Sequence, residues 1–418
     1  MTSVVVTGIG LVTPLGADRP TTWSNLLAGV SGVAPIRRFD ASGFPVHIAA
    51  EAPDVEPADL PPRLRKFAGA QDAFALAAAA EALRDAGVAP TAADGDRWGC
   101  IAGAGIMLVR YDELAALQRR AAPDGALQPA AFAAAGDPIA FARQQDVTGL
   151  ALLSRHFGIR GPLRAVHTAC ASGGQAVGAA LRLIRRGAAD RVLAGGYDSM
   201  ISPVGLAGFC LLGTLSTDNA APERASRPFD RTRNGFVLGE GAGFLVLERA
   251  DVARTRGVRV YAELAGEGNA LSSYRITDPH PDGIGPIQAM RAALTDAGEP
   301  PAAVDYINAH GTSTVMNDRA ECAAIRAVFG DHAERLAVSS TKSQMGHLIA
   351  AAGAVEAALC ALALHEGVAP ASANLREPDP ACALPFVTAA PRRAPLRVAL
   401  SNSFGFGGAN STLVLRRA

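Results

Sequence analysis

Aromatic side chains make up only 5% of the 418 residues. The core must therefore be closed by Ala, Val and Leu, with helices approaching closely at glycines. Neither sign of charge is in excess, because Lys+Arg and Asp+Glu both number 39. Nucleic acid is thereby excluded as the main partner, since a phosphate backbone calls for a basic surplus. Any charged partner must be met by a local patch. The six cysteines, Cys100, Cys170, Cys210, Cys322, Cys360 and Cys382, include no CxxC pair. They form neither a disulfide framework nor a zinc pattern, which points to a reducing compartment. No run of about 18 uninterrupted apolar residues exists, so no membrane span is expected. The start, Met1-Thr2-Ser3, runs directly into Val4-Val5-Val6 without a basic region. No signal peptide is read there, and the expected location is the cytoplasm.

What is present is a chain 49% hydrophobic and 19% charged, enough for a large core. At roughly 150 residues per domain the length allows two or three domains, or one fused pair. Short β-branched runs (Ser3–Thr7, Trp98–Ala102, Arg191–Ala194, Phe244–Glu248, Val304–Asn308, Val398–Ser401) alternate with long Ala/Leu-rich stretches. The stretches Ala70–Ala86, Ala171–Arg186, Gly285–Ala297 and His347–Glu366 read as helices, each closed by a glycine at 87, 187, 298 or 367. This alternation predicts an α/β fold. Two segments echo each other. Ala165–Cys170 and Ala337–Lys342 both read as strand, tight turn and long small-residue helix. We therefore expect an internal duplication, with an N-terminal half over 1–255 and a C-terminal half over 256–418. The Ala-rich segment Arg119–Gly136, with Pro123 and Pro129, reads as an irregular excursion or lid. The segment Asp218–Arg233 reads as a surface loop or one near an entrance.

Cys170 closes an apolar run and opens a helix, in Thr168-Ala169-Cys170-Ala171-Ser172-Gly173-Gly174. A thiol there would face free backbone N–H groups and the positive helix end, which favour a nucleophilic thiolate. A buried structural cysteine is the ordinary alternative, and it is the reading for the other five. His310 follows a strand in Asn308-Ala309-His310-Gly311-Thr312-Ser313-Thr314, where open α/β sheets place ligand contacts. His347 follows Lys342-Ser343-Gln344-Met345-Gly346 and opens a helix, whose N-terminus disfavours imidazolium. Ser401–Asn410 carries three glycines around Phe406 and could present backbone N–H groups to an oxyanion. It lacks the Lys-Ser/Thr ending of a phosphate-binding loop.

Taken together, Thr168–Gly173, Ser226–Asp230, Asn234–Gly241, Asn308–Thr314, Lys342–His347 and Asn402–Asn410 resemble the β-ketoacyl-acyl carrier protein synthase family, of the elongating type found in type II fatty acid and polyketide synthesis. The likeness runs from Val4 to Asn410. It implies the thiolase fold, with two pseudo-symmetric βαβαβαββ halves in an α/β/α/β/α sandwich. It also implies Cys170 as nucleophile, His310 and His347 as the two catalytic histidines, and Lys342 with Glu356 as a supporting active-site pair. The amides of Cys170 and Phe406 would form the oxyanion hole, and Thr312 and Thr314 would contact the pantetheine arm. Phe406 would gate between acyl and malonyl pockets. Phe209, Ile106 and Met107 would lie along the acyl pocket, and Arg63, Arg65 and Lys66 would dock the acyl carrier protein.

The implied reaction is decarboxylative condensation of a Cys-bound acyl group with a malonyl thioester. No metal and no cofactor of the protein's own is needed, because phosphopantetheine on the carrier bears the substrates. A homodimer is expected, or a heterodimer with a second ketosynthase-like chain. Three departures stand out. Ala409 replaces a usual Thr, His167 replaces a small or hydroxyl residue, and Ile106–Gln145 does not resemble the usual elongation enzyme. The last of them favours specialised, polyketide-like metabolism over primary fatty acid elongation. A carrier-dependent acyltransferase without decarboxylation, or a non-catalytic partner subunit, are the further alternatives. A second basic docking position is missing, since Leu212-Gly213-Thr214 stands there.

Overall fold

The computed structural model describes residues 2–56, 60–105, 110–122 and 125–418. Ile106 and Met107 lie outside the described residues. Ten strands form one central sheet: β1 (Val4–Val12), β2 (Trp98–Ala104), β3 (Leu163–Val166), β4 (Arg191–Asp198), β5 (Gly241–Arg249), β6 (Ala262–Leu271), β7 (Tyr306–Asn308), β8 (Ala337–Ser339), β9 (Val398–Phe404) and β10 (Ala409–Arg416). Their order is β8-β7-β9-β10-β6-β1-β5-β4-β2-β3. Counted outward from the middle, the two halves read 1-5-4-2-3 and 6-10-9-7-8, the same order twice. The pairing senses repeat as well. β2 is parallel to β3 and β4, as β7 is to β8 and β9, while β5 and β10 run antiparallel to their neighbours. β1 and β6 join the halves through Val5–Glu263 and Val6–Ala262. The two echoing segments of the sequence leave from β3 and β8, which hold equivalent places.

Every residue of β1 is buried, as expected of a strand covered on both faces. Four helices supply the cover: α1 (Ala70–Ala86), α2 (Ser172–Arg185), α3 (Ile284–Ala297) and α4 (Ala352–Glu366). α1 lies against β1 and β5, and α3 lies against β6 and β10. α2 and α4 touch each other and strands of both halves, so they form the middle of five layers. Every residue of α4 from Ala352 to Leu364 is buried. Among the described residues, Ile349–Glu366 is the one helical stretch long and apolar enough to cross a membrane, and it is core. α2 and α4 cross at glycines. A Cβ on Gly173 would sit 2.7 Å from the Ala354 nitrogen, and one on Gly353 would sit 2.5 Å from the Gly174 nitrogen. The absence of both Cβ atoms brings the starts of the two helices together, and with them the turns carrying Cys170 and His347.

Two expectations are corrected. Among the described residues the excursion after β2 is largely helical, with helices at Tyr111–Ala121, Pro129–Ala135 and Pro138–Arg143, the last two opened by their prolines. The segment Asp218–Arg233 is not a surface loop throughout. Ser226, Phe229, Asp230 and Arg233 are buried, because Arg233 finds Asp318 at 3.3 Å and Asp379 at 2.9 Å.

Candidate active site

β3 ends at Val166 and the chain turns sharply through Ala169, whose φ of 50° is left-handed. Such a φ is strained for a residue with a Cβ. The turn is held by Ser172, whose hydroxyl donates to the Ala169 carbonyl (2.7 Å) and accepts the Thr168 N–H (2.8 Å). It places Cys170 two residues before α2, buried at the floor of a cavity of about 350 Å³. Opposite stands the loop Gly405–Gly408 between β9 and β10. A Cβ on Gly405 would lie 3.1 Å from the Cys170 nitrogen, so only glycine lets the loop come this near. The amides of Phe406 and of Cys170 itself both hydrogen-bond toward the sulfur. Ala409, where a Thr hydroxyl was expected, closes this loop through its carbonyl, which accepts the Gly405 N–H at 2.7 Å.

His310 leaves β7 and His347 leaves the short helix Lys342–Met345. The rings meet edge to face, with centroids 5.2 Å apart. The Cys170 sulfur and a nitrogen from each ring lie within 4.8 Å of one another. These three donors could also ligate a soft divalent cation. His347 Nδ1 accepts the Ile349 N–H at 3.3 Å, which assigns the proton to Nε2, and that atom is buried without a partner. The edge-to-face chain His347–Phe236–Phe209 then runs away from the site. Phe209 thus packs in the same apolar cluster as Cys170 and Phe406. Thr312 and Thr314 line the cavity with their hydroxyls 2.9 Å apart. Lys342 hydrogen-bonds Glu356 on α4, both fully buried beneath the rings.

The electrostatics amend one expectation. Burial pushes the Cys170 thiol up to about 12, and the Lys342 charge and the two amides only partly oppose it. The helix terminus was expected to favour thiolate, but desolvation by burial outweighs it, and the sulfur rests as a thiol. Burial first, and then the Lys342 charge, hold both imidazoles well below the usual histidine range. Both rings are therefore neutral donors. Burial pushes the Glu356 carboxyl up to about 7 despite Lys342.

Arg63, Arg65 and Lys66 are exposed and line no part of the cavity around Cys170. His167 points outward, 3.6 Å from Asp146. Three buried carboxylates that sequence reasoning missed hold the catalytic-site loops. Glu321 accepts the N–H groups of His310 (2.9 Å) and Gly311 (2.8 Å) and the Asn402 amide (3.1 Å). Asp318 accepts the Thr312 N–H at 3.0 Å, and Asp198 accepts the Ala350 N–H at 3.0 Å. The available signal was an acidic residue inside an otherwise apolar helix or strand end. Removing Glu321 with Glu321→Ala leaves two buried N–H groups without acceptors. Turnover should fall about 10–100-fold, equivalent to about 1–3 kcal/mol. Acylation of Cys170, read by intact mass, should fall less than carbon dioxide release.

A five-layer sandwich with a buried thiol, two neutral imidazoles and a pair of amides at the meeting of two helix starts defines an acyl-transferring condensing enzyme of the thiolase fold. The chain belongs to the β-ketoacyl synthase family, matching its N-terminal domain over residues 1–253 and its C-terminal domain over residues 261–376. It is 42% identical over 422 residues to the 3-oxoacyl-[acyl-carrier-protein] synthase 2 of Coxiella burnetii, covering 99% of this chain and 98% of the relative. It is 41% identical over 428 residues to the synthase 2 of Rhizobium meliloti, covering 100% and 99%. Among solved structures, a β-ketoacyl synthase from Burkholderia phymatum superposes with a TM-score of 0.90 at 34% identity, covering all of both chains. A ketosynthase solved with its type II polyketide synthase acyl-carrier protein and bound to a hexaketide gives 0.89 at 31%, also over all of both chains. The ishigamide ketosynthase/chain length factor gives 0.88 at 35%, covering 100% of this chain and 99% of that one.

Proposed function

We propose that the chain condenses a carrier-borne acyl thioester with a malonyl thioester, and that the two sides of the cavity divide the work. The observation that carries the reading is a thiol with two amide donors on one side and two neutral imidazole rings on the other, all within one cavity. In the first half, Cys170 attacks the acyl thioester carbonyl and its proton passes to a neighbouring imidazole. The carbonyl oxygen takes the amides of Cys170 and Phe406, the pantetheine thiolate leaves, and the proton follows it. In the second half, the malonyl carboxylate leaves as carbon dioxide. The resulting enolate oxygen is met by the ring N–H groups of His310 and His347. Neutral donors suit this step because negative charge appears on oxygen only as the bond breaks. The enolate carbon attacks the acyl-Cys170 carbonyl, the sulfur leaves and takes up a proton, and the β-ketoacyl thioester departs.

Thr312 and Thr314, in the wall of the cavity, are placed to hold the pantetheine arm, with Phe406 at the junction of acyl and malonyl spaces. Lys342 and Glu356 set the charge beneath the rings. The departing segment 106–145 supports an acyl chain of specialised metabolism. The partner we favour is a second copy of the chain. Among the described residues β3 ends the sheet and pairs only with β2, and Leu163 on it is 47% exposed.

Incubation with malonyl-carrier protein and a panel of acyl-carrier proteins tests this, followed by carbon dioxide release and the mass of the product. We expect a product longer by two carbons and one equivalent of carbon dioxide per product. Acyl transfer with no carbon dioxide would replace condensation by simple acyl exchange. Efficient extension of medium and long saturated chains would move the protein to primary elongation.

A further inference from the structure

Cys170, His310 and His347 each offer one donor atom, and the three atoms lie within 4.8 Å of one another. Among the described residues this is the one group of His, Cys, Asp or Glu side chains placed to share an ion. All three line the same cavity. His310 Nδ1 and His347 Nε2 are buried without a hydrogen-bond partner. Buried polar atoms are ordinarily satisfied, so two orphaned ring nitrogens beside a sulfur call for a ligand. The developing enolate is one. A borderline-soft cation is another, because thiolate and neutral imidazole are the donors that Zn2+ takes.

The geometry asks for little movement. Tetrahedral bonds of about 2.0–2.1 Å to nitrogen and about 2.3 Å to sulfur put donors about 3.3–3.6 Å apart, so the three atoms close by at most about 1.5 Å. The fourth position is left to a water from the cavity. Both rings are neutral, the form that ligates. His347 has to move its proton from Nε2 to Nδ1, which gives up the bond from the Ile349 N–H, a long one at 3.3 Å. The thiol proton leaves to water as the bond from sulfur to metal forms. The Lys342 ammonium opposes a cation here, while its hydrogen-bonded partner Glu356 and the new thiolate offset it.

We propose that this constellation is also a reversible inhibitory site for Zn2+, which ties the nucleophile to both imidazoles and binds only while the sulfur is free. Once Cys170 is acylated its sulfur belongs to a thioester, a poor ligand. Zinc therefore competes with the acyl donor for the resting enzyme and takes no part in the reaction. Mg2+ seeks oxygen donors and does not compete.

The test uses the full chain with Cys210→Ser, which removes the only one of the six cysteines that is not buried. The probe is ZnCl2. Competition with a chromophoric chelator should show one ion per chain with a Kd on the order of 1 μM or below. Saturating zinc should slow alkylation of Cys170 by iodoacetamide, read by intact mass, at least about tenfold, and EDTA should restore it. Cys170→Ala and His347→Ala should each weaken binding at least about tenfold, and Co2+ in place of zinc should give a thiolate-to-metal absorption that Cys170→Ala lacks. Prior acylation of Cys170 by hexanoyl-pantetheine, with malonyl thioester absent, should raise the Kd at least about tenfold in the otherwise unaltered site. In turnover, zinc should raise the KM for the acyl donor and leave kcat unchanged, and about 1 mM Mg2+ should do neither.

Zinc binding indifferent to Cys170→Ala or to acylation would overturn the proposal. So would inhibition that lowers kcat alone, or that EDTA does not reverse. The binding arms need no catalytic reading. A chain that binds zinc as described yet condenses no thioester keeps the metal site and refutes the proposed condensation.

Discussion

Cys170→Ala is expected to abolish the acyl adduct seen by intact mass and to lower condensation by at least about 10³-fold, because it removes the sulfur that the two amides and the two rings surround. It should nevertheless leave malonyl decarboxylation in place. The donors that meet the enolate oxygen are on His310 and His347, and their neutrality comes from burial and Lys342, not from the sulfur. The complementary variant, His347→Ala, should still form the adduct while carbon dioxide release falls about 10²–10³-fold, the usual effect of losing a donor to a developing oxyanion. The same experiment reads the resting state of the thiol. With its value pushed up to about 12, the thiolate fraction rises with pH across the working range. Alkylation of Cys170 by iodoacetamide should therefore rise about tenfold per pH unit from about pH 6 to about pH 9 without levelling. Condensation by Cys170→Ala at the unaltered rate would end this account. A plateau of alkylation near neutrality would show a preformed thiolate instead.

Lys342→Met should destabilise the fold by about 1 kcal/mol at pH 8, because without the ammonium Glu356 keeps in the core a proton that the unfolded chain gives up. The sign with pH follows from the carboxyl itself. Its value in the fold is raised to about 7 from an ordinary 4.5, so the folded state holds a proton that the unfolded chain gives up. A raised carboxyl loses stability as pH climbs from the unfolded value, and the loss is complete above the folded value. Without Lys342 that folded value climbs further, and the extra loss appears above pH 7. Near pH 5, where Glu356 is already protonated in the fold, the variant should approach the stability of the parent. The double variant Lys342→Met with Glu356→Gln should recover most of the loss at pH 8, since no buried charge remains. Thermal unfolding of the three proteins at the two pH values checks this. An equal loss at both would show that packing of the lysine stem, and not charge, is what Lys342 supplies.

How much of this could be read before the fold was seen differs from element to element. The helix Ala70–Ala86 ends where its glycine was expected, at Gly87, because its Ala/Leu pattern and its cap are local. β6 and β10 were missed. Their residues, such as Glu263, Glu267 and Asn269 in β6, do not form an apolar run, and these strands are held by long-range pairing with each other and by α3. The segment 119–136 was read as irregular because its prolines look like breakers. Pro129 sits instead at the first position of a short helix, where a missing N–H does no harm.

The order of motifs along the chain was enough to name the sulfur, the two imidazoles, the lysine–glutamate pair and the Gly-rich loop, since each carries a residue type its chemistry requires. It could not show that burial would protonate the thiol. That depends on how completely α2, α4 and the loop 405–408 exclude water, and desolvation is a property of the closed cavity. Nor did it find Glu321 and Asp318, which accept backbone N–H groups from the loop just before their own helix, or Asp198, whose partner Ala350 lies in the other half of the chain. Local chemistry is written in residue types, whereas dielectric and reach across the cavity exist only once segments far apart in the chain are packed against each other.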